Sequence, residues 1–337
     1  MQTPAGLLFV FSGPAGAGKN TIMNLVKESE TTLRQLPTAT TRPRRSTEQE
    51  GREHEFLTEA EFRQRILEKG LVEWQIIHDK AVYGVPRQTV RRLVLEDQLA
   101  LADVDVLGAM DLKHEFGDHV VLIFVQAPDQ ATLERRLRAR DDIQSEEELY
   151  TRLRRADFEM GFASQYDYRL INRDDHLEDC ATEAIEIIQR EVAMRGPSEP
   201  NPGWDPQHIR YWSTGLLIQD GQVLVENDTL PRVAVPADKL PFEAIQDALY
   251  SALTINIQPT RRHAEKRQVD VGFEPPQLAT VSQTNGDIHR THFYVLKAEE
   301  IPTSLPIGWA WVPIESLPLD DTLSQLLLQS IGDLQLD

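Results

Sequence analysis

The chain has 337 residues, 40% of them apolar, a net charge of −19 and one cysteine. That length exceeds what a single hydrophobic core usually serves, so two domains are expected. The acidic balance excludes broad nucleic-acid binding, which needs a positive field over the surface. A lone Cys180 excludes an internal disulfide or an all-thiolate metal site and reads as a helix-packing residue. With no apolar run of membrane-spanning length and no basic start followed by an apolar stretch, no membrane association and a cytoplasmic location are expected.

In chain order, Leu7–Ser12 is a continuous apolar run that predicts a buried strand. Gly13-Pro14-Ala15-Gly16-Ala17-Gly18-Lys19-Asn20-Thr21 follows it and leads into a helix-compatible stretch, residues 21–29. Glycines allow backbone N–H groups to turn inward on anionic oxygens, a helix start adds partial positive charge, and Lys19 reaches the outer phosphates. Strand, loop and helix together read as a phosphate loop. Asn20 stands where the pattern has a hydroxyl that ligates Mg²⁺; its amide oxygen is also a hard ligand. Further on, Thr58-Glu-Ala-Glu61 signals a capped helix start. Residues 99–105, 120–125 and 168–172 are apolar runs alternating with amphipathic stretches, which predicts an α/β fold with a parallel sheet. Two basic clusters offer local charge to an anionic substrate: Arg42, Arg44 and Arg45, then Arg135, Arg136, Arg138, Arg140, Arg152, Arg154 and Arg155. Residues 196–206 are rich in Pro and Gly and read as a linker between domains 1–195 and 207–337. Beyond it, strands at 214–219 and Gln222–Glu226 flank Asp220-Gly221, a tight-hairpin signature, and a helix at 242–253 precedes strands near 277–282 and 292–296. This half reads as α+β.

The first half carries a series of motifs: Ser12-Gly-Pro-Ala-Gly-Ala-Gly-Lys19, Thr40-Thr-Arg-Pro43, Glu73-Trp74, Tyr83-Gly84, Asp103-Val-Asp105, Arg136-Leu-Arg-Ala-Arg140 and Tyr166-Asp-Tyr168. In these, over roughly residues 6–194, it resembles the guanylate kinase family of nucleoside-monophosphate kinases. The resemblance implies a core sheet, an acceptor-binding arm over residues 38–90 and a lid around 140–155. It implies that Arg42, Arg45 and Tyr83 hold the acceptor phosphate, with His54 at a phosphate-contact position. Thr38, Glu73 and Asp105 would read guanine, and Arg136, Arg140 and Arg152 would neutralise the transferring group with Lys19. Mg²⁺ would accompany ATP near Asp103 and Asn20. The implied reaction is transfer of the ATP γ-phosphoryl to GMP, dGMP or a close analogue, without a covalent intermediate.

Three positions depart from the family pattern. His54, in Gly51-Arg-Glu-His54-Glu-Phe56, replaces a tyrosine; Val85 follows Tyr83-Gly84 in place of a small hydroxyl residue; Leu107 replaces a glutamine. A related kinase, ribose 1,5-bisphosphate phosphokinase, resembles the chain at His54 and Val85 but lacks counterparts of Glu73 and Asp105. A sugar-phosphate kinase is therefore the second reading. A non-catalytic guanylate-kinase-like scaffold is the third, opposed by the intact Gly18-Lys19 and the lid arginines.

Residues 207–337 resemble a Nudix domain in the opening hairpin, in Ala237-Asp-Lys-Leu-Pro-Phe-Glu243 and in Trp311-Val-Pro-Ile-Glu-Ser-Leu-Pro318. With Glu243 on the first glutamate of that family's motif, the remaining metal-binding positions fall on Ser251, Ala252, Ile255 and Asn256. The expectation is a scaffold without its metal site, acting as a binding, regulatory or homodimer-forming module with its own ligand or partner.

Overall fold

The computed structural model describes residues 6–46, 48–77, 81–139, 145–195, 204–259, 276, 278–285, 287–298 and 304–317. Arg140 and residues 196–203 of the expected linker lie outside these. The elements begin with β1 (Leu7–Ser12), α1 (Lys19–Ser29), β2 (Arg34–Gln35), β3 (Thr38–Thr40), β4 (His54–Phe56) and α2 (Glu59–Leu67). Next come β5 (Leu71–Ile77), β6 (Ala81–Pro86), α3 (Arg87–Leu95), β7 (Leu99–Asp103), α4 (Val106–Phe116), β8 (Val120–Gln126) and α5 (Gln130–Arg138). α6 (Glu146–Gly161), β9 (Tyr168–Ile171) and α7 (Leu177–Met194) follow. The remainder holds β10 (Ile209–Gln219), β11 (Gln222–Glu226), β12 (Arg232–Ala234), α8 (Pro241–Leu253), β13 (Ile257–Pro259), β14 (Leu278–Thr284), β15 (Asp287–Ala298) and β16 (Trp309–Pro313).

These elements divide into two compact units, Met1–Pro37 with Gln88–Asn201, and Thr38–Arg87 with Pro202–Asp337. The first unit is a mixed α/β layer structure on a parallel sheet of order β2-β7-β1-β8-β9. All six residues of β1 are buried, as are six of the seven in β8, because strands covered by helices on both faces need apolar side chains on both. Phe9, Phe11, Val121, Ile123 and Leu170 pack there against Ile22 and Val26 of α1 and Ala184 and Ile188 of α7. Cys180 is buried in the same cluster, and burial pushes its thiol up to about 11.

The second unit joins the expected acceptor arm to the C-terminal half. The arm is a four-stranded sheet of order β4-β3-β6-β5, with α2 started by a capping box: Glu61 N–H donates to Thr58 Oγ1 at 3.2 Å and Thr58 N–H to Glu61 Oε2 at 2.8 Å. The C-terminal half forms a sheet of order β13-β15-β10-β11-β16, with β12 on β10 and β14 on β15. Asp220 and Gly221 both take positive φ, 49° and 74°, which closes the β10–β11 hairpin in the sense that matches strand twist. α8 ends at Leu253 with Thr254 in the left-handed conformation, so Ile255 and Asn256 lie beyond the helix while Ser251 and Ala252 occupy its last turn. No helix of the described residues is long and apolar enough to cross a membrane.

Candidate active site

The phosphate loop follows directly from β1. Gly13, Gly16 and Gly18 take φ of 132°, 86° and 94°, a region that disfavours side chains. Two of them are also sterically obligatory: a Cβ on Gly13 would overlap the Val125 carbonyl oxygen, and one on Gly18 would overlap the Asn172 amide. Gly18 caps α1, so the first N–H groups of the helix open into the loop. Lys19 Nζ donates to Gly13 O at 2.6 Å, which folds the ammonium back over the loop it serves. The outer wall is fixed by Asn172, whose Nδ2 donates to Ala17 O at 2.8 Å and whose own carbonyl accepts from Arg136 Nη2 at 2.9 Å. Arg136 is further tied to Asp174 Oδ1 at 2.7 Å.

At the C-terminal edge of the same sheet, Asp103 ends β7 with its side chain open to solvent. Partial desolvation by surrounding protein pushes its carboxyl above the ordinary range, Lys19 opposes this and Asp105 adds to it. Asp105 caps α4, its Oδ1 accepting from Gly108 N at 2.9 Å, and its Oδ2 pairs with Arg155 at 3.0 Å. Arg155 also binds Glu159 on the next turn of α6 at 2.9 Å. Burial raises the Glu159 carboxyl, against the pull of Arg155 and Lys19. Arg152 lies on α6, paired with Glu148 at 2.8 Å. Asn20 is exposed in the first turn of α1, and Arg140 lies outside the described residues.

In the second unit, the arm brings six expected acceptor residues onto one small sheet and its loop. Arg42 Nε donates to Tyr83 OH at 2.9 Å, and its two terminal nitrogens grip Glu48 at 2.7 and 3.2 Å. The Arg45 N–H donates to the same carboxylate at 2.7 Å, while the Arg45 side chain is exposed. Arg42 and then the Arg45 amide hold the Glu48 carboxyl down to about 2. This is the geometry of a guanidinium fork on a two-oxygen anion. Thr38 Oγ1 and His54 Nδ1 lie 2.7 Å apart, and the His54 ring meets Tyr83 edge-on at 5.7 Å. Burial, then Arg42, lower the His54 pKa, which favours the neutral imidazole. Glu73 is buried, 7% exposed, inside a register irregularity of β5 between Leu71 and Trp74. Gly84 passes so close that a Cβ there would sit 2.7 Å from the Glu73 carbonyl.

Sequence reasoning placed Arg155 in a basic cluster without its carboxylate partners, and did not single out Glu48, Glu159 or Asn172 for the site. The spacing Arg45-x-x-Glu48 and the pair Arg155-x-x-x-Glu159 were available as turn and helix-face signals. Asn172, a polar residue directly after β9, whose Leu170 alone is buried, sits where open α/β sheets place ligand-contacting groups.

The guanylate kinase family model matches residues 6–191. The guanylate kinase of Chlorobaculum tepidum is 38% identical over 169 residues, covering 50% of this chain and 86% of the relative. That of Bacteroides thetaiotaomicron is 35% identical over 184 residues, covering 55% and 89%. A crystal structure of guanylate kinase from Anaplasma phagocytophilum, 26% identical, aligns over 57% of this chain and 89% of its own at a TM-score of 0.44. A NUDIX-family hydrolase structure from Clostridium perfringens, 16% identical, aligns over 38% and 97% at a TM-score of 0.27, too low to establish a shared fold. With 6–191 matched by the family model and most of each relative's length covered, the chain belongs to the guanylate kinase family of ATP-dependent phosphotransferases.

Proposed function

We propose that the chain transfers the γ-phosphoryl group of ATP to GMP, giving ADP and GDP. The observation that carries this reading is the coexistence of an intact phosphate loop, with Lys19 folded over it, and an arm whose Arg42 fork and Arg45 amide already hold a two-oxygen anion. The loop amides and Lys19 would bind the outer phosphates of ATP, and Arg136, Arg140 and Arg152 would neutralise charge on the migrating group. Arg42, Arg45 and Tyr83 would hold the GMP phosphate by exchanging or sharing the donors that now grip Glu48. Glu73 would read guanine, because a carboxylate accepts from both the ring N–H and the exocyclic amine, with Thr38 and Asp105 assisting. His54, neutral and hydrogen-bonded to Thr38, would act as a polar contact rather than a charge.

Asp103 and Asn20 are hard oxygen donors with exposed side chains, and among the described residues no group of three or more His, Cys, Asp or Glu could hold a metal. That sparse set fits Mg²⁺, which keeps waters and phosphate oxygens in its shell rather than an all-protein cage. Bound there, Mg²⁺ would neutralise phosphate charge; a cation would also offset the desolvation of Asp103. The C-terminal half is proposed to be a Nudix-like module without the paired glutamates of a hydrolase.

Glu73→Gln tests the acceptor assignment. Hydrogen bonds to charged groups are worth about 1.5–3 kcal/mol, so kcat/KM for GMP should fall roughly 10- to 150-fold while KM for ATP stays put. Unchanged GMP efficiency would remove Glu73 from the recognition site.

A further inference from the structure

The irregular stretch of β5 that carries Glu73 is bounded by Leu71 and Trp74, and the C-terminal half touches both ends of it. At one end, Tyr211 OH of β10 donates to the Leu71 carbonyl at 3.3 Å; Arg87 Nη2 donates to the same oxygen at 2.7 Å. At the other, the Trp74 ring lies 5.5 Å from the ring of His292 on β15. His292 in turn meets Tyr211 edge-on at 4.7 Å, so the two contacts form one aromatic group. All three rings are buried: Tyr211 is 5% exposed, Trp74 2% and His292 0%. The His292 ring is fixed by Arg290 Nε, 3.1 Å from its Nε2, and by the Trp212 carbonyl, 3.2 Å from its Nδ1.

The arm is joined to the C-terminal half elsewhere too. Leu240, which precedes α8, completes the arm's core with Phe62, Ile66, Leu71, Trp74 and Val82. Arg63 of α2 grips Glu243 of α8 with two bonds, at 2.6 and 2.7 Å. The Arg63–Glu243 pair involves neither residue that bounds the Glu73 segment, whereas Tyr211 and His292 contact both of them.

From this arrangement we infer that Tyr211 and His292 are positioning residues for acceptor-base recognition: the C-terminal half sets the aim of Glu73 by pinning both ends of its irregular strand segment. The inference rests on Glu73 reading guanine. A slack segment weakens the bonds to N–H groups of guanine without touching the phosphate cradle of Arg42 and Tyr83, so the loss concerns base discrimination.

The test is the ratio of kcat/KM for GMP to that for IMP, which lacks the exocyclic amine, measured on the full chain. Tyr211→Phe, which keeps the ring and removes one long hydrogen bond, should lower the ratio about 2- to 10-fold, the range of one ordinary hydrogen bond. Tyr211→Ala, which also removes the ring beside His292, should lower it further, with KM for ATP unchanged in both. Arg63→Met, which loosens the same interface away from the segment, should leave the ratio as it is. An unaltered ratio in Tyr211→Phe and Tyr211→Ala, or an equal fall in Arg63→Met, overturns the inference. Glu73→Gln separates the two levels: if it collapses the ratio while the Tyr211 variants do not, positioning fails alone, and if it leaves the ratio intact, the guanine reading fails beneath it.

Discussion

Asn172→Ala probes the wall of the phosphate loop. The side chain is 5% exposed and spends its Nδ2 on the carbonyl of Ala17, which is fully buried, at 2.8 Å. Leaving a buried carbonyl without its donor costs about 1–3 kcal/mol. A loop free of nucleotide can turn that carbonyl towards water, but ATP binding needs the inward-facing amides back, so the cost returns on binding. With about 1.4 kcal/mol per decade, KM for ATP should rise roughly 5- to 100-fold, with a smaller change in kcat. Asn172→Asp should do worse, since it sets a carboxylate against the Ala17 carbonyl and beside the incoming phosphates. Steady-state ATP titrations at saturating GMP measure both variants, and urea unfolding confirms that the fold persists. If both keep KM for ATP within about twofold of the parent, against a penalty of that size, Asn172 does not shape the loop.

Lys19→Ala removes a preorganised donor aimed at the migrating group, which costs on the order of 10²–10³ in turnover, while circular dichroism should be unchanged because the Lys19 side chain is bonded within its own loop, to Gly13 O. Parent-like turnover would refute its role. Because the Glu48 carboxyl is depressed, its contribution is present above the ordinary value of 4.5 and is lost as pH falls through about 2. Carboxyl-carbon NMR should show Glu48 ionised at pH 3.5, and Arg42→Lys should move its titration upward; a normal titration near 4.5 would refute the cradle.

The phosphate loop was legible in sequence because its chemistry is local: a buried strand, three glycines at positive φ and a lysine within seven residues. The Asp220-Gly221 hairpin and the Thr58–Glu61 capping box were legible for the same reason. Asn172 bonds a loop 155 positions away, Arg155 reaches Asp105 across 50 and Arg63 reaches Glu243 across 180, and no periodicity or turn rule encodes such pairs. The motif series located Arg42 but not the carboxylate it grips, since Glu48 follows in a loop with no regular repeat. The packing of residues 38–87 with 202–337 was likewise hidden, because Leu240 reads as an ordinary apolar residue before a helix until the arm's core closes over it.

The most direct test of the central claim is ATP-dependent ADP release by the full chain with Mg²⁺, measured in parallel with GMP, dGMP, IMP, AMP and ribose 1,5-bisphosphate as acceptors. Highest kcat/KM with GMP or dGMP and little turnover of the sugar bisphosphate is the expected result. Turnover confined to ribose 1,5-bisphosphate, or none with any acceptor, would contradict the guanylate kinase account.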